Sequence, residues 1–185
     1  MGEPALVIAD EPTTALDVTV QRQVLRLLKS IQAERDMALL FISHDITVVG
    51  QVCDRVLVMY AGRIVENLPA ADLAAHARHP YTRALLAAVP SMETPLELPL
   101  AVIPGRPADP GNLPAGCAFA PRCPFADAKC ASSDPALVAD EAGREVACWH
   151  AGRVAAARPA GDVPAAVLIA DPESAVSAPA TGEAL

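Results

Sequence analysis

From residue 5 to residue 17 the chain reads Ala-Leu-Val-Ile-Ala-Asp-Glu-Pro-Thr-Thr-Ala-Leu-Asp. No other stretch limits the fold so tightly. Five apolar residues carry the backbone through a protein interior and deliver it onto two adjacent carboxylates, Asp10 and Glu11. Pro12 has no amide to continue a strand, and small residues then turn the chain toward Asp17, a good helix N-cap. Placing two acids directly after a buried strand costs free energy unless something there uses negative charge. A hydrated magnesium ion and an attacking water are the usual users.

The segments that follow repeat the alternation of strand and helix. After Asp17, Val20, Val24, Leu27, Leu28 and Ile31 recur at helical spacing, with Gln21, Arg22, Arg26, Lys29 and Gln32 on the opposite face. This predicts a helix to about Asp36. The runs Ala5–Ala9 and Ala38–Ser43 read as short strands covered on both faces, and Ile46–Cys53 as a short helix. Arg55–Tyr60 and Ile64–Asn67 are two further strands joined by a tight turn at Ala61-Gly62-Arg63. The order predicts an α/β fold with a parallel sheet and a closing hairpin. Helical segments are expected at Asp72–Ala77 and Tyr81–Val89, an extended proline-rich linker from Pro90 to Gly116, and a compact, turn-rich stretch at Cys117–His150. From Ala151 to Leu185 alanine, proline and small polar residues give no core pattern, which predicts disorder.

Composition narrows the partners. The chain has 14 basic against 22 acidic residues, a formal net charge of −8. Sequence-independent nucleic-acid binding needs a basic surface, so nucleic acid is not an expected partner. The start Met1-Gly-Glu-Pro lacks the basic and apolar regions of a secretory signal, and no apolar run is long enough to span a bilayer. The expected location is cytoplasmic, with any membrane contact made through partners.

Asp10-Glu-Pro-Thr-Thr-Ala-Leu-Asp17, a helix, a strand and then Ser43-His44-Asp45 come in an order that resembles the Walker B strand, D-loop and switch histidine of ABC-transporter ATPases. Val56–Glu66, then His79-Pro-Tyr-Thr-Arg-Ala-Leu-Leu86, then the cysteine stretch are similar to the oligopeptide/dipeptide importers within that group. Relatives of that group serve nickel and glutathione uptake, and these residues do not separate the substrates. The resemblance covers about Glu3 to Trp149 and implies the C-terminal half of a P-loop-type ATPase domain over residues 1–89, followed by a small metal-bound extension. On phosphate chemistry, Asp10 is expected to hold magnesium of Mg-ATP and Glu11 to activate water as general base. His44 is expected to reach the γ-phosphate, and Asp17 both to cap its helix and to contact an opposing ATPase subunit. The implied partners are a second ATPase subunit in a heterodimer, transmembrane permease subunits at the inner face of the membrane, and indirectly an extracellular or periplasmic substrate-binding protein.

The sequence contains no Gly-Lys-Ser/Thr loop and no Leu-Ser-Gly-Gly-Gln signature. Both precede the carboxylate strand in the family, so Met1 reads as an internal methionine and the chain as a C-terminal part. Whether it is itself an enzyme stays open. The alternative is a catalytically inactive module that binds metal or a partner.

Cys117, Cys123, Cys130 and Cys148 are spaced C-x5-C-x6-C-x17-C. Structural zinc sites usually pair ligands two to four residues apart, whereas iron–sulfur ligation uses four thiolates, often beside a proline, and Pro124 follows Cys123. Phe119, Phe125 and Trp149 are near enough in sequence to shield such a centre. The resemblance independently implies a [4Fe–4S] cluster. Zinc remains the alternative, with disulfides third in a cytosolic protein. A short segment poor in large apolar residues needs a staple, so the role expected of the metal is structural. Cys53 is expected to be a plain core residue.

Overall fold

The structure, a computed structural model, describes residues 4–90 and 101–157. Residues 91–100 of the expected linker and 158–185 of the expected tail lie outside the described residues.

The elements run β1 (Leu6–Asp10), α1 (Val18–Arg35), β2 (Ala38–Ile42), α2 (Ile46–Val52), β3 (Arg55–Tyr60) and β4 (Arg63–Pro69). They continue with α3 (Leu73–His76), α4 (Pro80–Ala87), α5 (Ala128–Ser132), β5 (Val138–Ala139), β6 (Glu145–Val146) and α6 (Ala151–Ala156), with single 3-10 turns at Ala70–Asp72 and Ala120–Arg122. Asp17 caps α1 as its side chain implied: one carboxylate oxygen accepts from the amides of Thr19 and Val20 at 3.0 and 2.9 Å. The helix ends where Asp36 turns left-handed at φ 47°.

The strands β1 and β2 pair in parallel, with Leu6 opposite Ala38 and Asp10 opposite Ile42. The expected parallel sheet stops there, because β3 belongs to a second, antiparallel sheet of order β3-β4-β6-β5. Its residues explain the difference. Val56, Val58 and Tyr60 are buried while Leu57 and Met59 are half exposed, the alternation of a one-sided antiparallel strand. Ala61 and Gly62, at φ 49° and 78°, form the tight turn that folds β4 back on it.

The β1–β2 pair is also covered on one face only. Leu25 and Leu28 of α1 pack with Ala9, Phe41 and Val48 on one side. On the other side Leu6, Ile8, Leu40 and Ile42 are 43–61% exposed, so the expectation of two covered faces does not hold among the described residues. Such a patch favours association. The isolated chain is expected to elute above monomer size, and serine at Ile8 and Leu40 to shift it toward monomer; monomeric elution of the unaltered chain would contradict this.

The larger core lies under the hairpin, where Val56, Val58, Tyr60, Val65, Leu68, Leu73 and Phe119 pack together. The cysteine stretch adds β6 to the edge of β4, with Glu66 opposite Val146. Described residues of the expected linker are held down as well. The Arg122 guanidinium donates to the carbonyls of Pro104 and Ile103 at 2.8 and 3.0 Å, and the amide of Ala108 donates to the Tyr60 hydroxyl at 3.1 Å. The first residues of the expected tail form α6. Val154 there is fully buried, and the Arg83 guanidinium donates to the carbonyls of Val154 and Ala157. No described helix is long and apolar enough to cross a membrane.

A buried polar knot ties α4 to the hairpin. Glu66 accepts from the amides of Arg78 and His79, and His79 Nδ1 accepts from the Tyr81 amide at 3.1 Å to cap α4. Burial drives the His79 imidazole down to about 4 and pushes the Glu66 carboxyl up. For His79 the unfolded chain binds the extra proton between about 6.5 and 4, so stability is full above that window and falls as pH drops through it. The Glu66 shift has the opposite sign: its contribution is lost as pH rises above the ordinary carboxylate range, so it overlaps the His79 window and offsets part of it. Denaturant unfolding is expected to show the His79 acid loss of stability between about pH 6.5 and 4, offset in part by Glu66. His79→Asn, which keeps a capping oxygen, is expected to flatten that slope; an unchanged slope would assign it elsewhere.

Candidate functional site

Two constellations of chemical groups result from this folding, one at the end of the parallel pair and one inside the cysteine stretch.

At the first, parallel pairing sets the C-terminal ends of β1 and β2 side by side, where α/β proteins gather ligands. The Glu11 amide donates to the carbonyl of Ile42 at 3.0 Å, and Glu11 itself turns left-handed at φ 48°. That conformation is uncommon for a residue with a side chain. Its carboxylate faces β2: one oxygen accepts from the His44 amide at 3.1 Å, and the His44 Nδ1 lies 2.9 and 3.1 Å from the two oxygens. The Thr14 hydroxyl donates to Glu11 Oε2 at 2.6 Å. The hydrogen bond from Thr14, and after it the one from His44, holds the Glu11 carboxyl below its ordinary range. At neutral pH it is an ionised, solvent-accessible acceptor.

The adjacent Asp10 and Glu11 are thus brought to one strand edge with His44, more than thirty residues further along the chain. Asp10 is exposed beside them, while Asp17 sits at the start of α1 with its carboxylate committed to the helix cap. Asp45 likewise caps α2, accepting from the amides of Thr47 and Val48. Thr14 escaped the sequence reading. Its signal is its position three residues after Glu11 across a tight turn, the reach of a hydroxyl back to a carboxylate.

At the second constellation, Cys117, Cys123, Cys130 and Cys148 line one small cavity together with Phe119 and Trp149. Phe119 is buried and Trp149 is 38% exposed; Phe125 is partly exposed and does not line it. The closure depends on Gly116. The Cys117 amide donates to the Cys130 carbonyl at 2.8 Å, and a Cβ on residue 116 would lie 2.2 Å from that same oxygen. Gly116→Ala is expected to cost about 1–3 kcal/mol by forcing the two segments apart, measured by denaturant unfolding; an unchanged midpoint would contradict the tight approach.

Burial raises the thiols of Cys117, Cys123 and Cys148, the last two to about 11. Without a metal these groups stay protonated, and a cation must displace their protons to bind. All four thiols are free. Among the described residues, the ligand atoms that do meet within 4.8 Å belong to Asp127, Cys130 and His150, a set the sequence reading missed.

Comparison with known proteins gives three findings. Residues 65–130 match a family model described as the oligopeptide/dipeptide transporter, C-terminal region; that span includes Cys117, Cys123 and Cys130. The chain is 47% identical over 146 residues to the oligopeptide transport ATP-binding protein AppD of Bacillus subtilis, covering 79% of this chain and 44% of that one. It is 52% identical over 149 residues to the probable D,D-dipeptide transport ATP-binding protein DdpD of Escherichia coli, covering 80% and 45%. The chain therefore spans a little under half the length of the curated relatives it matches. A solved structure of cbiO1 from Clostridium perfringens is 34% identical over 38% of this chain and 28% of that one, at a TM-score of 0.36, too low to bear on the fold.

Proposed function

The chain belongs to the oligopeptide/dipeptide ABC transporter ATP-binding proteins, and from that premise we propose that it supplies the water-activating half of an ATP site that energises peptide import. The observation that carries this reading is the meeting of Glu11 and His44 at the end of the parallel pair. Glu11, ionised and accessible, takes a proton from the attacking water as general base. His44, held against Glu11 through both its amide and its ring, faces the γ-phosphate and keeps that carboxylate oriented. Asp10 holds magnesium, which neutralises phosphate charge when bound. Asp17 keeps α1 capped and offers its turn to a second ATPase subunit. Permease subunits receive the conformational work at the cytoplasmic face of the membrane, and a substrate-binding protein delivers peptide on the far side.

The iron–sulfur reading is favoured over the zinc one because four thiols line one cavity and their sequence spacings are wider than those of paired zinc ligands. Cys117, Cys123, Cys130 and Cys148 would hold a [4Fe–4S] cluster, which when bound supplies folding free energy to a stretch with few large apolar residues. Phe119 shields them from solvent on the hairpin side. Anaerobic reconstitution with iron and sulfide is expected to give the visible absorbance of a cluster with about four irons per chain, lost in Cys123→Ser; a colourless protein holding stoichiometric zinc would overturn this.

The test of the ATPase reading is a chimera in which this chain replaces the matching part of the Bacillus subtilis AppD protein. Magnesium-dependent ATP hydrolysis by the chimera is the expected result. A folded chimera that binds nucleotide without turning it over would favour the non-catalytic alternative, a module that binds only metal or partner.

A further inference from the structure

We propose that Asp127, Cys130 and His150 form a site for one divalent cation of the zinc class, with a donor set different from that of the four thiols, whose cavity His150 also lines. Two of the three belong to one helix turn, Asp127 at the N-cap of α5 and Cys130 within that helix, and the third, His150, stands at the start of α6. Their ligand atoms nevertheless lie within 4.8 Å of one another. One carboxylate oxygen, one thiol sulfur and one imidazole nitrogen are a donor set that borderline cations accept.

The local geometry holds the three donors side by side. His150 Nε2 is 2.9 Å from Asp127 Oδ2, yet that nitrogen is shut off from solvent and no partner meets it in hydrogen-bond geometry. The contact brings an imidazole nitrogen and a carboxylate oxygen together beside the Cys130 thiol. The other oxygen of Asp127 is already fixed, accepting from the Cys130 amide at 2.9 Å. This holds the carboxylate in place and sets it beside the thiol. The His150 amide is also anchored, donating to Cys148 Sγ at 3.4 Å. Cys130 is buried, and Asp127 is the solvent-facing member through which a cation enters. On binding, the Cys130 thiol releases its proton to solvent, and the fourth position is left to water.

Cys130 is common to both sites, so the cation and a four-thiol cluster exclude one another. This last clause rests on the iron–sulfur reading; the site itself does not.

The experiment uses the full 185-residue chain, metal-free and reduced under anaerobic conditions. Cobalt is titrated as the probe, with zinc in competition, and Trp149, the only tryptophan, reports folding by fluorescence. One cobalt per chain is expected, with charge-transfer absorbance from a single thiolate. His150→Gln and Asp127→Ser are each expected to weaken binding by about tenfold or more, while Cys117→Ser and Cys123→Ser leave it unchanged. Serine at 127 keeps the helix cap, so loss of cobalt there is not loss of fold. Absence of stoichiometric cobalt would overturn the site. So would an affinity that follows Cys117→Ser and ignores His150→Gln, since the ion would then sit among the thiols. Iron–sulfur reconstitution in His150→Gln is expected to proceed as in the unaltered chain. Failure of reconstitution in the unaltered chain, with cobalt binding intact, would sink the cluster reading alone.

Discussion

Glu11→Gln in the AppD chimera is expected to lower ATP hydrolysis by about 10²–10⁴-fold while leaving nucleotide binding intact. Glutamine keeps the shape of the side chain and one of the two acceptor oxygens; the Thr14 hydroxyl and the His44 amide use different oxygens of Glu11, so one of these two bonds is retained and the other is lost. What disappears is the negative charge and the proton-accepting capacity, which the Thr14 and His44 hydrogen bonds otherwise keep available at neutral pH. The comparison that separates catalysis from folding is single-turnover hydrolysis against equilibrium binding of the same nucleotide. Parallel losses in both would place Glu11 in binding, and hydrolysis unaffected by the change would remove it from the chemistry.

Phe119→Ala is expected to cost about 3–5 kcal/mol, the range for truncating a fully buried aromatic side chain. Phe119 is 2% exposed and stands where three parts of the chain meet. Its ring lies 5.2 Å from Tyr60 of β3, 5.4 Å from Tyr81 of α4 and 5.8 Å from His79, with edge-on or tilted geometry. It also lines the cysteine cavity, so the same substitution is expected to loosen the thiols. Denaturant unfolding followed by far-ultraviolet circular dichroism and by Trp149 fluorescence reads both sides of the joint. A loss below about 1 kcal/mol would mean that the hairpin and the cysteine stretch do not share a core.

Much of the candidate site was legible because it rests on local chemistry. Asp10, Glu11 and Asp17 announce themselves by where a strand stops and a helix starts, and His44 by its place after a second apolar run. What the sequence could not convey was long-range pairing. Nothing near Arg55 tells whether that strand joins β1 and β2 or leaves them; the answer depends on the tight turn at Ala61-Gly62 and on which face of Val56, Val58 and Tyr60 finds a core. Residues 145 and 146 carry no strand pattern of their own and extend because β4 offers an edge. The buried Glu66 reads as an ordinary exposed acid in its alternating strand, and only the amides of Arg78 and His79 reveal why it is inside. The meeting of Asp127 with His150 was equally hidden, since twenty-two residues of turn and short strand separate them.

The central claim is that Asp10, Glu11 and His44 are half of an ATP site, completed only by a phosphate-binding loop that these residues do not include. Calorimetric titration of Mg-ATP into the 185-residue chain and into the AppD chimera tests it directly. No measurable binding by the chain, with stoichiometric binding by the chimera, is the predicted result. Mg-ATP binding by the chain alone with the chimera's affinity would contradict it.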